Sequence, residues 1–321
     1  MKHALTTETP VLEVLKPGLL TMVQDLGRQG FGAMGVSPSG AADAMALRLG
    51  NRLVGNTEGA SGLEMTLLGG EFLFRDDAVI ALAGSDFGAT LDGLPVDVWT
   101  SIDVRAGQNL RTGPTRCGAR CYLCIQGGVG VKPFLGSAST HLLSGLGGLE
   151  GRALRKGDLL HLGDAPQPFK KRTATPRALQ FWSPRRILRV TTGPQNNRFP
   201  DSAWRLFVKS AYHVAESSNR MGLRMEGPPV ASQADGEMTT EGISLGAVQV
   251  PESGQPIISF VEQQTTGGYP VIANVISADF SSVGQLRPRD EVRFEHVELG
   301  EARMLLLEQE KLLASEDSIQ E

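Results

Sequence analysis

A polar, glycine-rich segment late in the chain is the first place where the sequence could carry chemistry. Residues 262–270 read Glu-Gln-Gln-Thr-Thr-Gly-Gly-Tyr-Pro and separate two apolar runs. An ordinary hairpin needs only two turn residues, so this segment is longer and more polar than a turn requires. Amide and hydroxyl side chains suit a neutral or zwitterionic amide substrate. We therefore expect four side chains of the segment to bind such a substrate, with a long solvated hairpin as the alternative: Gln264, Thr265, Thr266 and Tyr269.

Two further polar segments could contact an anion. The first runs from Arg28 to Asp43 and carries a cation, the Ser39 hydroxyl and a carboxylate ahead of a predicted helix. The backbone N–H groups of a helix N-terminus can hold an anion, although Ser39 or Asp43 could instead only cap the helix. The second reads Ser-Asn-Arg-Met-Gly at 218–222, where Arg220 either caps a strand or binds an anion.

The sequence lacks the motifs of nucleotide and zinc sites. The glycines at 27–32 have the wrong spacing for a dinucleotide fingerprint, and those at 145–148 lack the Lys-Ser/Thr of a phosphate loop. The sequence therefore predicts no ATP site of its own. No histidines stand at zinc-site spacing, and no metal site is expected.

The three cysteines have a spacing that could hold an iron–sulfur cluster. Cys124 lies in the strand-like run Tyr122–Ile125, so Cys121 and Cys124 should point to opposite faces of that strand. Buried cysteine behaves as a small hydrophobic residue. We therefore expect Cys117, Cys121 and Cys124 to be structural free thiols.

Length, charge and hydropathy narrow the class of protein. The 321 residues suffice for two domains, and a net charge of −4 argues against a nucleic-acid partner. No apolar stretch is long enough to span a membrane, and the first residues do not resemble a signal peptide. A cytoplasmic protein is expected.

The elements that must position these residues are mostly short strands. Apolar runs alternate with glycine-containing turns through both halves, which indicates β-barrels or sandwiches. Helical spacing predicts helices at 41–54, at about 201–213 and from about 299. We predict an N-terminal β lobe at 11–165, a Pro- and charge-rich linker at 166–186, a C-terminal β lobe at 187–298, and a helix with an acidic tail at 299–321.

Several stretches together make the chain resemble a known family. It is similar to the family named variously 5-oxoprolinase C subunit, KipI antagonist and allophanate hydrolase subunit 2, which also forms part of the carboxyltransferase region of urea carboxylase. The matching stretches, which together cover about residues 12–297, include Gly27 to Asp43, Leu63 to Thr66, Ala83 to Asp86, Gln126 to Gly128, Gly193 to Gln195, Asn219 to Gly227, Gly246 to Pro251 and Gln264 to Pro270.

The resemblance implies a mainly β fold of two cyclophilin-like β-barrel lobes, each with a helix. It implies membership of an ATP-dependent complex that opens 5-oxoproline to glutamate, in which this chain is inactive alone. The expected partners are a KipI-like protein and a LamB/YcsF-like protein, and ATP is used by the complex. Two alternatives stay open: a carboxyltransferase component of a urea carboxylase-like system, which would involve biotin, and a non-catalytic antagonist of a KipI-like kinase inhibitor.

The resemblance also suggests roles for individual residues. The substrate amide would sit between the Arg28–Asp43 segment and the Gln264–Tyr269 loop. Arg28 or Arg220 would hold a carboxylate or phosphate. Glu262 and Asp86 are the candidates for proton transfer at the amide nitrogen. Four side chains would orient the amide by hydrogen bonds: Gln126, Gln249, Gln264 and Thr265.

The chain departs from the family pattern at three positions. Ala138 stands where the family usually has Arg, Asn196 where an acid is common, and Glu262 where Asp is usual. A lost cation and shifted acids would be consistent with a different substrate within the same family.

Overall fold

The computed structural model describes residues 10–164, 170–232 and 238–321. The chain divides into two compact units. Among these residues, the first unit comprises 10–28, 39–164, 170–182 and 312–321, and the second comprises 29–38, 183–232 and 238–311.

The secondary structure is mostly short strands. In chain order the strands are β1 Leu12–Lys16, β2 Leu20–Gln24, β3 Gly62–Thr66, β4 Glu71–Phe74, β5 Ala78–Gly84, β6 Thr90–Leu91, β7 Leu94–Pro95, β8 Ser101–Val104, β9 Asn109–Arg111, β10 Arg120–Ile125, β11 Val129–Gly130, β12 Leu159–Leu162, β13 Thr173–Ala174, β14 Ile187–Thr192, β15 Ala211–Val214, β16 Gly222–Glu226, β17 Glu241–Gly242, β18 Ala247–Gln249, β19 Ile257–Ser259, β20 Thr266–Gly267, β21 Val271–Val275, β22 Glu291–His296 and β23 Ile319–Gln320. The α-helices are α1 Ala44–Leu53, α2 Pro176–Phe181, α3 Asp201–Lys209, α4 Phe280–Gly284 and α5 Leu299–Ala314. Short 3₁₀ turns lie at Gly32–Met34, Asn196–Arg198, Ser277–Asp279 and Glu316–Ser318.

The first unit is built mainly from two large sheets, one of which carries helix α1 on its outer side. One sheet has the order β11-β12-β1-β4-β9-β6-β7 and the other has the order β2-β3-β10-β5-β8. Their facing apolar side chains form one core cluster, which includes Leu12 and Phe72 from the first sheet and Leu63 and Leu123 from the second. Both faces of β10 are buried, because α1 covers the other side of its sheet.

Helix α1 approaches its sheet closely at a glycine. A Cβ atom added to Gly50 would lie 2.7 Å from the Cys124 Sγ and 2.9 Å from the Ala83 Cβ. Real Cβ atoms do not come this close, so only glycine permits the observed packing. Met45, Leu49 and Leu53 are buried on the same helix, as the helical spacing predicted.

The second unit is a closed barrel with the strand order β14-β21-β18-β19-β16-β15-β22. Strands β14 and β22 pair in parallel, and the other barrel pairs are antiparallel. Alternate residues such as Leu223, Val248 and Ile258 are fully or almost fully buried. Their neighbours therefore face outward, because successive strand side chains point to opposite faces.

The mainly β fold is confirmed. The closed barrel is found in the second unit, whereas the described strands of the first unit form separate sheets of seven, five and two strands. The helix predicted at 201–213 ends at Lys209, because Tyr212 and Val214 alternate into the barrel as part of β15. The helix predicted from about 299 is α5.

The predicted linker differs from what the structure shows over its described part. Residues 173–181 contain β13 and α2, where Ala174 N–H donates to Trp99 O at 2.9 Å and Thr175 caps α2 through Ala178 N–H. Local proline and charge do not reveal these long-range contacts. Residues 166–169 of the predicted linker lie outside the described part of the chain.

Within the described residues, no helix combines the length and apolarity that a membrane span requires.

Candidate functional site

A cavity of about 510 Å³ in the second unit brings together three of the predicted site residues. We call it the amide cavity, because amide side chains dominate its polar lining. The polar residues that line it are Asn219, Arg224, Gln249, Gln263, Gln264 and Tyr269, with Ser259 at its floor. Gln249, Gln264 and Tyr269 were predicted from the sequence to bind substrate.

The register of three barrel strands builds the floor of the amide cavity. Gly222 lies opposite Ser259, and both Arg224 and Gln249 lie opposite Ile257 on either side of β19. These residues alternate with buried ones, so their side chains share the outer face of the barrel wall. Gln249 Nε2 donates to the Ser259 Oγ at 2.9 Å, which orients one amide group on the floor.

The polar segment 262–270 forms one wall of the cavity. It is not a hairpin, because β18 lies between β19 and β21 in the barrel. The segment is held instead through its backbone: Ile243 N–H donates to Thr265 O at 3.1 Å, and Thr266 pairs with Gly242. The side chains of Gln264, Thr266 and Tyr269 remain exposed, and that of Thr265 is half-buried.

Gln263, which the sequence pattern did not single out, is the most enclosed amide of the lining at 8% exposed. Its Nε2 donates to the Ile243 backbone O at 3.2 Å. The Oε1 atom is buried and has no hydrogen-bond partner among the described residues. The carbonyl of Ile243 can only accept, so the orientation of the amide follows from this contact.

The two charged residues predicted beside this segment pair with each other. Arg220 Nε donates to Glu262 Oε1 at 2.5 Å, and both residues are buried. The Glu262 N–H also donates to Arg220 O at 2.8 Å. Arg220 was expected to hold an anion and Glu262 to transfer a proton. The contact shows that each already neutralises the other.

Arg224 is the cation that the cavity itself presents, and it was not among the residues predicted from the sequence. Its side chain is exposed and lines the cavity, and no acidic residue within the described chain pairs with it. The signal that could have found it is the alternation in β16, where buried Leu223 and Met225 place Arg224 on the outer face.

In the first unit, Arg28 and Ser39 bind the backbone of the loop at residues 134–140. Arg28 is buried, donates to the backbone oxygens of Phe134 at 3.5 Å and of Ser139, and lies over the Phe134 ring. The Ser39 hydroxyl donates to Thr140 O at 2.7 Å. The anion-binding role of Arg28 stays a prediction, and two of its guanidinium nitrogens, Nε and Nη2, donate to backbone carbonyls.

Asp25 anchors the same loop and was not predicted. Its carboxylate accepts from the hydroxyls of Ser137 at 2.6 Å and Ser139 at 2.5 Å, and from the N–H of Ala138 at 2.6 Å and of Gly27 at 2.7 Å. Ala138, which stands where the family usually has Arg, thus contributes its backbone N–H to the anchoring of this loop. That contact does not depend on the side chain at position 138, so the loop tolerates the departure.

Asp43 caps α1, as the structural alternative proposed. Its Oδ1 accepts from Ala46 N–H at 3.0 Å, and its own N–H donates to the Tyr122 hydroxyl oxygen at 2.8 Å. Tyr122 in turn donates to Glu64 Oε2 at 2.7 Å. Burial, and then the charges of Glu64 and Asp43, raise the pKa of Tyr122 well above its ordinary value. This group fixes the start of α1.

The remaining predicted site residues of the first unit, Asp86 and Gln126, form hydrogen bonds with residues that were not predicted to belong to the site. Asp86 accepts from Gly88 N–H at 2.7 Å and from Arg116 Nη1 at 2.8 Å in a partly exposed turn. Gln126 is buried, and its N–H donates to Val79 O at 2.8 Å. These contacts join neither residue to another predicted site residue.

The cysteines lie as the strand pattern predicted. Cys121 belongs to the core cluster between the two sheets, whereas Cys124 belongs to the cluster under α1, so they occupy opposite faces of β10. Burial raises the pKa of both thiols. Cys117 is exposed. Across residues 10–164, 170–232 and 238–321, no group of His, Cys, Asp and Glu is arranged to hold a metal ion.

Comparison with known proteins gives one family. Residues 34–296 match the family model described as "Carboxyltransferase domain, subdomain A and B". The chain is 38% identical to the 5-oxoprolinase C subunit of Escherichia coli, covering 91% of this chain and 93% of that protein. It is 36% identical to the 5-oxoprolinase C subunit of Haemophilus influenzae, covering 92% and 94%.

A solved structure shows the same fold within a larger protein. The K. lactis urea amidolyase superimposes with a TM-score of 0.90 at 32% identity, covering 98% of this chain. The chain spans only 21% of the length of that urea amidolyase. On the family match and the two relatives of similar length, this chain belongs to the carboxyltransferase-domain family that includes the 5-oxoprolinase C subunit.

Proposed function

We propose that the chain is the C-type subunit of a 5-oxoprolinase, an ATP-dependent complex that opens the lactam of 5-oxoproline to give glutamate. The support is the identity to two 5-oxoprolinase relatives over nearly the whole of both chains. Its partners are a KipI-like protein and a LamB/YcsF-like protein, and the chain has no lactam-opening activity alone.

The observation that carries the proposal is the lining of the amide cavity. A lactam presents one N–H donor and one carbonyl acceptor, and the side chains of Gln249, Gln263 and Gln264 offer both kinds of partner. Hydrogen bonds in an enclosed site fix the orientation of a bound amide more strongly than in open water. The cavity therefore holds the lactam plane, with Tyr269 in the wall beside it, and Thr265 and Thr266 stand in the same polar segment next to that wall.

The group that transfers a proton to the lactam nitrogen is placed in the second unit. Of the two acids proposed for it, Glu262 directly precedes the cavity residue Gln263, whereas Asp86 belongs to the first unit and pairs with Arg116. We therefore keep Glu262 as the group that moves a proton at the lactam nitrogen as the C–N bond opens. Arg220 positions the Glu262 carboxylate through the 2.5 Å contact.

The glycine-rich stretch at 145–148 does not fit a nucleotide phosphate. A Cβ atom on Gly147 would lie 2.1 Å from Ser139 O, and one on Gly148 would lie 1.9 Å from Thr140 Oγ1. Glycine is required at both positions because they pack against the Ser139 backbone and the Thr140 side chain, which leaves no room there for a phosphate. We therefore assign ATP to the complex and derive no step of this chain through it.

Reconstitution tests the proposal. The chain is purified with its KipI-like and LamB/YcsF-like partners, and glutamate release from 5-oxoproline is measured with and without ATP. We expect release only when all components and ATP are present. Glutamate release by the chain alone, or an inert complete complex, would contradict the proposal.

A second candidate function has its own support. The superposition on urea amidolyase at a TM-score of 0.90 favours a carboxyltransferase component of a urea carboxylase-like system, in which biotin would be the carrier. Urea is also an amide and would use the same lining. Carboxylation of urea by the chain with a biotin carboxylase and a biotinylated carrier, without 5-oxoproline turnover, would select this function.

A further inference from the structure

The amide cavity contains a cation among neutral groups. Arg224 lies on β16, next to the floor formed by Ile257, Ser259 and Gln249. Gly222, two positions earlier on the same face, also lines the cavity, and even a Cβ atom there would lie 2.9 Å from the Ile257 Cγ2. The absence of a side chain at 222 keeps the volume beside Arg224 open, so the guanidinium borders a cavity rather than a packed surface.

The other cations proposed for anion binding are committed elsewhere. Arg28 donates to backbone carbonyls of the 134–139 loop, and Arg220 pairs with buried Glu262. Arg224, in contrast, has no acidic partner within the described chain and faces the cavity. A planar guanidinium presents paired donors that match the two oxygens of a carboxylate.

A second observation concerns the buried amide of the cavity lining. Gln263 Oε1 is a buried acceptor with no donor among the described residues, and its orientation is set by the Nε2 contact to Ile243 O. Leaving a buried acceptor unpaired is unfavourable, so a donor supplied by an occupant of the cavity would stabilise this arrangement. The N–H of an amide is such a donor.

We propose that Arg224 binds the carboxylate of the substrate and that Gln263 Oε1 accepts its amide N–H. The substrate class of the cavity is thus an amide that bears a carboxylate, rather than a neutral amide such as urea. This inference rests on the proposed function in placing the lactam in the amide cavity, and it adds the residues that select the substrate.

Three related lactams separate the two contacts. 5-Oxoproline carries both the carboxylate and the N–H, 2-pyrrolidinone lacks the carboxylate, and N-methyl-2-pyrrolidinone lacks both. Their affinities are measured by calorimetry or ligand-observed NMR, for the full chain and for the complex with its partners. The variants are Arg224→Gln, Arg224→Lys and Gln263→Met, with Arg205→Gln on the exposed face of α3 as the matched control.

We expect the wild-type protein to prefer 5-oxoproline to 2-pyrrolidinone. Arg224→Gln should weaken 5-oxoproline binding about ten- to hundredfold, because a charge-assisted bidentate contact is lost, and should leave 2-pyrrolidinone unchanged. The affinity of Arg224→Lys for 5-oxoproline should lie between those of the wild type and Arg224→Gln, since an ammonium group keeps the charge without the paired geometry. Gln263→Met should abolish the preference for 2-pyrrolidinone over its N-methyl derivative, and Arg205→Gln should behave as wild type.

Other outcomes overturn the inference. These are equal binding of 5-oxoproline and 2-pyrrolidinone by the wild type, an equal loss for both ligands in Arg224→Gln, or binding of neither ligand by the chain or the complex. Failure of this inference can be distinguished from failure of the proposed function. If the complex releases no glutamate while Arg224→Gln still removes the carboxylate preference, the reaction is misassigned and the role of Arg224 stands. If the complex is active and the preference survives in Arg224→Gln, only the role of Arg224 is wrong.

Discussion

Arg220 Nε lies 2.5 Å from Glu262 Oε1, and this buried ion pair joins the two segments whose next residues line the amide cavity. The backbones of the same segments also bond, through Glu262 N–H to Arg220 O at 2.8 Å and Phe260 N–H to Met221 O at 3.0 Å. These contacts continue the β16–β19 ladder beyond Gly222 and Ser259. Two segments that are distant in sequence thus form one wall of defined shape.

Breaking this ion pair should destabilise the fold. Arg220→Ala leaves the Glu262 carboxylate buried without its cation, so we expect the free energy of unfolding to fall by about 3–5 kcal/mol. The double variant Arg220→Met with Glu262→Leu should lose much less, because no buried charge remains. Urea unfolding of the purified chain measures both, with exposed Arg205→Ala as the control. Equal stability of Arg220→Ala and wild type would show that the pair is not a structural element.

Substitutions in the polar segment should reduce activity without unfolding the chain. Gln264→Ala and Thr265→Ala each remove a proposed substrate hydrogen bond, which corresponds to a roughly ten- to hundredfold slower turnover. The melting temperature should change little, because the Gln264 side chain is exposed and the Thr265 contact to Ile243 uses backbone atoms. Turnover by the complex and melting are measured on the same samples. Full turnover in both variants would mean that the segment does not bind substrate, and early melting would mean that it is structural.

The same glycine-to-alanine change should destabilise the chain in one helix and not in another. Gly50→Ala should destabilise the chain by about 1–3 kcal/mol, because the new methyl group would lie 2.7 Å from the Cys124 Sγ. Gly300→Ala in α5 should be neutral or slightly stabilising, because nothing lies within 4 Å of its added Cβ and alanine favours helix. Thermal unfolding of the two variants makes the comparison. A Gly50→Ala variant as stable as wild type would contradict the close packing of α1 on its sheet.

The three thiols should differ in reactivity. At neutral pH in the folded chain only Cys117 should react with a thiol-specific disulfide reagent, because burial raises the pKa of Cys121 and Cys124 and shields both from the reagent. All three should react after unfolding in denaturant. Cys117→Ser should remove the fast-reacting thiol and leave the slow pair. Rapid labelling of three thiols in the folded protein would contradict the burial of β10.

Acid stability should depend in part on Glu71. Its hydrogen bonds with Lys16, then Asn109 and Arg111, lower the pKa of its carboxyl from 4.5 to about 2. A lowered folded-state pKa stabilises the protein above the unfolded-state pKa, and this contribution is lost as the pH falls from about 4.5 through about 2. The stability difference between wild type and Glu71→Gln should therefore shrink over that range. Urea unfolding at a series of pH values measures it, and a difference that is independent of pH would contradict this assignment.

The sequence by itself determined features that depend on local periodicity. Alternation predicted a mainly β chain and placed Cys121 and Cys124 on opposite faces of β10, and helical spacing located α1 within 41–54. The polar composition of 262–270 identified a segment that lines a cavity. Each of these properties follows from neighbours along the chain, which a sequence displays directly.

Only the tertiary structure decided what the charged and amide side chains contact. Arg28 meets Ser139 O across 111 positions of sequence, and Arg220 meets Glu262 across 42. The register of β16 with β19, and of β19 with β18, brings Arg224 and Gln249 to one floor. A cation looks equally available for an anion wherever it stands in a sequence. Whether it is already bound to a carbonyl or carboxylate depends on contacts made by strand pairing and packing, which local pattern does not specify.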